Sequence, residues 1–589
     1  MKITFTKKSV AKKSELDGFK IDGTTLIRCN LNDTKIVVPE GITVIGEDAF
    51  ENCIAEEIVL PDGLESIDDH SFDRCNYLKK VNIPTTVKTI GNCAFYRCRN
   101  LKTVELPESI TEISKYCFFK SGLESINIPS SIEMIGKGAF ADSNIESIVI
   151  PESVKILGDD MFSHCENLKS VKIKGQNITI PMGFCENSQN IESFDFSNVH
   201  AIHSKAFNGC TKLHLTTIPE NITYVGERAF ANINAIDDLK IENTAAFASA
   251  NEAFSESSVK SVILNMNTVP SIAIPYAMFK NCRQLRSVSF TGNTDALFKI
   301  GKSAFCNTDI RKITIPDQTY IVNDYAFAGC RNLKMVKLPN QMECIYSNVF
   351  SHCINLKEID IPDSVKYIGE SCFKICENLK RIKWPSKITV VPQYCFCHCT
   401  SLETFDAEEI KTVEYGAFLE CKSLTSFNFS SVELLGKNSF AGSGIKNVTL
   451  SENFHIVPED CDAQSAFYNC MNLTSVDLKR CTKLDTISTT MFMNCKNLKS
   501  ISLSESIISF KSCCFYNTEI KEIYFSNKTK DINEKAFSDL ILDKVTFSPD
   551  IDTDSIYIHA KAFYHSSIKE LAISEDLYNK FRTIWNQIK

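Results

Sequence analysis

A phenylalanine, usually preceded by alanine or another small residue, returns along this chain at intervals of about 23 residues. Aligned on it, the sequence resolves into about 23 copies of one unit with the template LxxIxIPxxVxxIGxxAFxxC. So short a unit cannot bury its own apolar residues, but stacked copies form continuous apolar ladders. The spacing therefore predicts a stacked repeat. The anchors are Phe50, Phe72, Phe95, Phe118, Phe140, Phe162, Phe184, Phe207, Phe230, Phe254, Phe279, Phe305, Phe327, Phe350, Phe373, Phe396, Phe418, Phe440, Phe467, Phe492, Phe515, Phe537 and Phe563.

The first part of each unit alternates apolar and polar residues. In one copy Val104 and Leu106 alternate with Thr103 and Glu105, the period of two typical of a strand with one buried face. Pro107 follows at once and ends the strand, because proline has no N–H to donate. We therefore predict an α/β repeat solenoid, a curved leucine-rich-repeat stack with a parallel β-sheet on one face and short turns or helical segments on the other.

Both ends of the chain depart from the template. Residues 1–34 are expected to form an N-terminal cap containing a β-hairpin that turns at Asp22-Gly23, and residues 35–573 to form the solenoid. Residues 574–589 are expected to form a C-terminal capping helix, with a partner-binding helix as the alternative. The apolar stripe of that helix is Leu577, Phe581, Ile584, Trp585 and Ile588.

Across residues 35–573 the repeats resemble the BspA-like family of leucine-rich repeats. Segments such as Leu168 to Ile173, Ile300 to Phe305 and Leu356 to Pro362 carry the resemblance. The family occurs in bacterial surface antigens and is expanded in protist parasites. The resemblance implies a non-catalytic interaction module, with adhesion to host proteins or cells as its usual role.

Charge and hydropathy limit the classes of partner. The net charge of −8 comes from interspersed signs, so no basic face for nucleic acid is expected. No window approaches the roughly 20 apolar residues of a membrane-spanning helix, and the N-terminal segment lacks the apolar run of a secretory signal. We therefore expect a cytoplasmic or cytoskeleton-associated protein, with the cell surface, reached by unconventional export, as the alternative.

The 26 cysteines follow the repeat. Thirteen lie three residues after the anchor, a position that otherwise holds small residues, so packing as free thiols is the expected role. Disulfides between stacked coils are one alternative, and zinc at Cys395-Phe-Cys397-His398-Cys399 is another. The thirteen are Cys53, Cys75, Cys98, Cys165, Cys210, Cys282, Cys330, Cys353, Cys376, Cys399, Cys421, Cys470 and Cys495.

No catalytic constellation is visible. The chain has no HExxH or GxSxG motif, and its ten histidines are scattered. We expect a non-enzymatic scaffold with a protein partner and no metal or cofactor. The alternative is a cell-surface adhesin or antigen that binds host or extracellular proteins.

Exposed positions that repeat from coil to coil are the candidate partner-binding sites. One is a basic row, which carboxylates after the proline, such as Asp317 and Asp363, could instead neutralise. Another is a row of small residues in the outward strand position, where a partner could approach closely. Two stretches with longer spacing, Ala245 to Glu252 and Phe454 to Gln464, are expected to bulge as loops. The basic row is Arg286, Arg311, Lys334, Lys357 and Lys380, and the serine row includes Ser125, Ser147, Ser170 and Ser193.

Overall fold

The computed structural model describes residues 14–16, 18–266, 271–292, 297–456 and 463–586. The chain divides into two compact units, Met1–Thr294 and Asp295–Lys589. Within each unit short parallel strands from successive repeats pair side by side, so the predicted parallel repeat solenoid is confirmed. One detail differs. The side opposite the predicted sheet carries a second set of strands and turns, and little helix.

The first strand of each coil comes from the LxxIxI segment, and these strands form what we call the first ladder. In Ser147–Ile150 the apolar Ile148 and Ile150 are buried while Ser147 and Val149 are exposed, as the alternation predicts. The strand pairs in register with Ser170–Ile173 of the next coil. Most turns of the chain therefore add one strand to the ladder and one layer to the core, although residues 101–106 and 123–128 form no regular strand.

The second strand comes from the VxxIG segment and builds the second ladder. Met134–Ile135 pairs with Ile156–Leu157, and Ile135 is buried. The glycine that follows is needed because neighbouring coils approach closely there. A Cβ atom on Gly158 would lie 2.4 Å from the carbonyl carbon of Gly136.

In the first unit, the first-ladder strands are Lys35–Val37, Glu57–Val59, Lys80–Val81, Ser147–Ile150, Ser170–Ile173, Thr217–Ile218, Asp238–Ile241, Ser261–Asn265 and Ser287–Thr291. The second-ladder strands are Val44–Ile45, Ser66–Ile67, Thr89–Ile90, Glu112–Ile113, Met134–Ile135, Ile156–Leu157, Ile178–Ile180, Val199–Ile202, Tyr224–Val225 and Ser271–Ile274.

In the second unit, the first-ladder strands are Lys312–Thr314, Met335–Lys337, Glu358–Asp360, Arg381–Lys383, Thr404–Asp406, Asn447–Thr449, Ser475–Asp477, Ser500–Ser502, Glu522–Phe525, Ile541–Phe547 and Ser567–Ala572. The second-ladder strands are Leu297–Ile300, Thr319–Val322, Cys344–Ile345, Tyr367–Ile368, Val390–Val391, Thr412–Val413, Leu434–Leu435, Thr486–Ile487, Ser509–Phe510, Asp531–Ile532 and Tyr557–Ile558.

The anchor turn closes each coil and also pairs with its neighbour. The N–H of Phe50 donates to the carbonyl of Ser71 at 2.7 Å, and that of Asn52 donates to Asp73 at 2.9 Å. Asp48 and Asn52 adopt left-handed φ values of 58° and 61°. Asparagine tolerates this conformation better than most residues. It recurs two residues after the anchor position at Asn52, Asn187, Asn232, Asn281, Asn307, Asn469, Asn494 and Asn517.

The anchor rings stack along each unit, with one exception to the sequence alignment. The N–H of Phe162 donates to the carbonyl of Phe184 at 2.8 Å, a bond that other coils make to the residue before the anchor. The thiol of Cys210 donates to the carbonyl of Cys185 at 3.1 Å. In other coils the corresponding thiol donates to the carbonyl of the anchor residue of the preceding coil. The anchor of this coil is therefore Cys185, and alignment on Phe184 was wrong by one residue. Ser188 is the residue three positions after it.

The two ends of the chain carry elements that differ from the repeat. Phe19–Asp22 and Thr25–Cys29 pair antiparallel as a hairpin, and its two-residue turn falls on Gly23 and Thr24, one residue later than predicted. Ser14–Leu16 adds a third antiparallel strand. At the other end, helix Glu575–Lys580 is capped by the Ser574 side chain and is followed by helix Arg582–Trp585.

The C-terminal helices cover the end of the second unit. Leu577, Ile584 and Trp585 are buried, Phe581 is half-buried where the two helices meet, and Ile588 lies outside the described residues. In the part of the chain that the structure describes, no helix is long and apolar enough to cross a membrane.

The stretched region after Phe230 does not form the expected outward loop. Thr244–Phe247 is a short 3-10 helix, and Ala246, Phe247 and Ala250 are buried. The Phe247 ring lies 5.7 Å from that of Phe254. The extra residues thus enlarge the core, because burying their apolar side chains away from water lowers the free energy of the folded state. Of the other stretched region, residues 457–462 lie outside the described residues.

Candidate functional site

The cysteines three residues after the anchor are hydrogen-bond donors as well as packing residues. The thiol of Cys376, fully buried, donates to the carbonyl of Phe350 in the preceding coil at 3.1 Å. Ser257 donates from the same position to Phe230 at 3.0 Å. The position therefore selects a small donor, a role that the sequence reasoning missed. The thiols that make this bond belong to Cys75, Cys98, Cys165, Cys210, Cys282, Cys330, Cys353, Cys376, Cys399, Cys421, Cys470 and Cys495.

A signal for this donor role is present in the sequence. Where the position lacks cysteine it holds serine or threonine in almost every coil, with Ile233 and Leu540 as the exceptions. Alanine and glycine, which are equally small, do not occur there. Size alone would admit them, so the residues chosen point to a hydroxyl or thiol donor.

Burial favours the protonated form of the thiols of Cys330 and Cys372. Each cysteine that the structure describes is a free thiol. Burial raises the pKa of Cys330 and Cys372 to about 12, so thiolates are scarce at neutral pH. A thiol in this state is a poor nucleophile and metal ligand.

The cysteine-rich segment proposed as a zinc alternative is spread over different surroundings. Cys395 and Cys399 are fully buried in the stack, Cys397 is buried, and His398 is exposed. Over the described ranges, no group of three or more histidine, cysteine or acidic side chains is gathered so as to hold a metal ion. The repeat positions account for Cys395 and Cys399 without a metal.

The serine row lies on the exposed face of the first ladder. Ser147 pairs in register with Ser170, which forms a parallel bridge to Ser193, and Ser125 lies one coil before Ser147. All four side chains are exposed. Charges beside them are paired: Glu146 contacts Lys169 at 3.0 Å, and Glu124 contacts Lys102 at 2.8 Å. The row is therefore a small, polar and electrically balanced strip.

The basic row falls in two parts. Arg286 belongs to the first unit, and Arg311, Lys334, Lys357 and Lys380 belong to the second. All five side chains are exposed. The N–H of Lys334 donates to the carbonyl of Arg311 at 2.9 Å, and that of Lys380 donates to Lys357 at 2.8 Å, so these residues do occupy the same position in adjacent coils.

The carboxylates that follow the proline, Asp317 and Asp363, do not form ion pairs with the basic row in the part of the chain that the structure describes. Asp363 contacts Lys383 at 3.9 Å and accepts the N–H of Ser386 at 2.9 Å. These contacts hold the pKa of Asp363 below its usual value. Asp317 forms no ion pair with a described residue. Lys380 instead pairs with Glu403 of the next coil at 3.3 Å.

The repeat matches a known family. Six copies of the model for the BspA type leucine rich repeat region match residues 20–146, 133–260, 248–374, 298–410, 343–463 and 462–584. The chain belongs to the BspA-type leucine-rich repeat family. No curated protein matches it significantly.

Several solved structures are similar to this BspA-type chain. A leucine-rich repeat protein from Bacteroides ovatus is 23% identical, with 60% of this chain and 96% of that chain covered and a TM-score of 0.46. A leucine rich cell surface protein from Faecalibacterium prausnitzii is 19% identical, with 84% and 96% covered and a TM-score of 0.24. The pneumococcal vaccine antigen PcpA is 14% identical, with 83% and 98% covered and a TM-score of 0.27.

One partly exposed feature of the second unit is not part of the BspA-type template. Tyrosines gather beside the second ladder, where the rings of Tyr346 and Tyr367 lie 5.5 Å apart and those of Tyr394 and Tyr415 lie 4.8 Å apart. Lys374 lies over Tyr394 at 5.3 Å. Sequence reasoning missed this surface because the tyrosines occupy different template positions and meet only in the folded coils.

Proposed function

We propose that this BspA-type protein is a non-enzymatic protein-binding scaffold whose partners dock on the exposed face of the first ladder. The observation that carries the proposal is the serine strip. Its side chains are small and exposed, Ser147 and Ser170 lie opposite each other on paired strands, and Ser193 is bridged to Ser170. A partner can therefore approach the backbone closely, and little conformational entropy is lost when it binds.

We further propose that the protein works inside the cell or in association with the cytoskeleton. The buried thiols three residues after the anchor support this, because the hydrogen bonds that they donate need the thiol proton and would be lost on oxidation to a disulfide. A second candidate, a cell-surface adhesin or antigen that binds host or extracellular proteins, is favoured by the role usually associated with the family.

Site-specific photo-crosslinking tests the docking face. A photoreactive residue at Ser170 is expected to crosslink a discrete partner in cells, and the same residue at Lys155, exposed beside the second ladder of the same unit, is expected not to. Adding Ser147→Arg and Ser193→Arg should abolish the crosslink by steric exclusion. Equal crosslinking from both positions, or insensitivity to the arginines, would refute docking on this face.

Labelling of intact cells with a membrane-impermeant, lysine-reactive reagent tests the location. Many lysines are exposed, so the protein would be modified heavily if it lay on the surface. We expect labelling only after the cells are permeabilised. Strong labelling of intact cells would instead support the adhesin.

A further inference from the structure

Five cations of the second unit form one exposed surface on two strands of the first ladder and the coil that follows. Lys312–Thr314 pairs with Met335–Lys337, and Lys312 is opposite Met335. Met335 is 51% exposed, so an apolar side chain lies among the charges. We call this surface the basic cluster. Its members are Arg311, Lys312, Lys334, Lys337 and Lys357.

The basic cluster lacks the ion pairs that form at its template position in several other coils. In six pairs of neighbouring coils, the position held here by Arg311, Lys334 and Lys357 carries opposite charges that contact each other. The pairs are Glu56 with Lys79 at 2.8 Å, Lys102 with Glu124 at 2.8 Å, Glu146 with Lys169 at 3.0 Å, Asp237 with Lys260 at 2.6 Å, Lys380 with Glu403 at 3.3 Å and Asp543 with Lys569 at 2.6 Å.

No such partner serves the basic cluster. None of its five side chains forms an ion pair with any residue that the structure describes. The carboxylates at its border are engaged elsewhere or face another cation. Asp360 contacts Arg381 at 3.3 Å, and Glu358 is opposite Arg381 in the strand register. Positive charge is therefore concentrated on a chain whose net charge is −8.

Like charges on adjacent strands, about 4.8 Å apart, repel each other and lower stability. Carboxylates from another molecule would remove that repulsion and gain attraction. We propose that the basic cluster binds an acidic protein segment with at least three carboxylates spaced by roughly 5 Å, as at positions i, i+4 and i+8 of a helix. This inference rests on the proposed scaffold function and names the chemistry of one partner.

Fluorescence anisotropy with the full-length protein tests the proposal. The probe is a labelled Glu-Ala-Ala-Ala repeat peptide with four glutamates, and its glutamine analogue is the negative control. The test variant is Arg311→Ser, Lys334→Ser and Lys357→Ser together. The matched control is Lys102→Ser, Lys169→Ser and Lys499→Ser, which removes the same charge from the same template position in coils where each lysine has a carboxylate nearby.

We expect the test variant to bind the peptide at least about tenfold more weakly than the wild type, and the control variant to stay within about twofold. Affinity should fall as salt is added, because the charges are exposed and screened. The replaced side chains are exposed, so both variants should melt like the wild type. Glutamine in place of the three cations gives a second test variant of similar size.

Three results would overturn the inference. One is an equal loss of affinity in the test and control variants, which would show a response to net charge alone. Another is no binding of the glutamate peptide by the wild type. The third is that a single-stranded oligonucleotide of equal charge binds more tightly than the glutamate peptide, and that this binding is lost in the test variant. Ser170, the crosslinking position, lies in the other unit, so the crosslinking test of the scaffold proposal does not depend on whether the glutamate peptide binds.

Discussion

Replacing Cys376 by alanine removes one donor from the buried ladder of thiols. The bond from its thiol to the carbonyl of Phe350 is 3.1 Å long. Its loss should cost about 0.5–1.5 kcal/mol, and the small cavity left by the sulfur should cost about 1 kcal/mol more. The carbonyl still accepts the N–H of Cys353 at 3.1 Å, which keeps the first cost near its lower limit. We therefore expect a loss of about 1.5–2 kcal/mol in local stability.

Serine at the same position separates donation from packing. Cys376→Ser keeps a donor and loses the apolar sulfur, so we expect a change of less than about 1 kcal/mol. Cys376→Val fills the space without a donor and should destabilise at least as much as alanine. Native-state hydrogen exchange of the amides of Phe350 and Phe373, which bond to the adjacent coil, reports the local free energy of opening. If Cys376→Ser loses as much local stability as Cys376→Ala, or if Cys376→Val loses none, the donor role is wrong.

Two further predictions concern the coils themselves. Gly158→Ala should destabilise the first unit by about 1–3 kcal/mol, because the added Cβ would lie 2.4 Å from backbone atoms of Gly136 and Lys137. The control Gly63→Ala should be neutral, because its added Cβ would have no atom within 4 Å. Equal melting temperatures of the two variants would refute this prediction. Stability should also fall as the pH rises from 9 towards 12. Folding raises the pKa of Cys330 and Cys372 from 9.0 to about 12, so the unfolded chain loses these thiol protons first as the pH rises. A free energy of unfolding that does not change between pH 9 and 12 would contradict this prediction.

The sequence was sufficient to predict the repeat, the parallel strands and the first ladder. These follow from the alternation of apolar and polar residues, as at Ile148 and Ile150, and from the proline after them, both of which act within one coil. The copy around Val104 and Leu106 has the same alternation but forms no regular strand. The second ladder was harder to foresee because pairs such as Met134–Ile135 are too short to show a period. The buried insertion at Phe247 was missed because the length of a loop does not tell whether its side chains enter the core.

The candidate surfaces were only partly predictable for a related reason. The sequence indicated which residues share a template position, as with Lys334 and Lys357. It could not indicate whether a side chain finds a carboxylate, because that depends on the distance between long side chains on different coils. Asp363 illustrates this, since it contacts Lys383 and accepts the N–H of Ser386 rather than pairing with a cation of the basic row.

The coil anchored by Cys185 offers a direct test of how the template is read. Phe184 occupies the small position, and its ring packs edge-on against Phe162 at 5.4 Å. Phe184→Ala should cost about 3–5 kcal/mol through the cavity it leaves, and Cys185→Phe about 1–3 kcal/mol through overpacking. The double variant restores Ala-Phe, so its cost should fall below the sum of the two by about 2 kcal/mol or more. Additive costs in chemical denaturation would show that the two positions do not exchange roles, and the anchor would then have to be Phe184 after all.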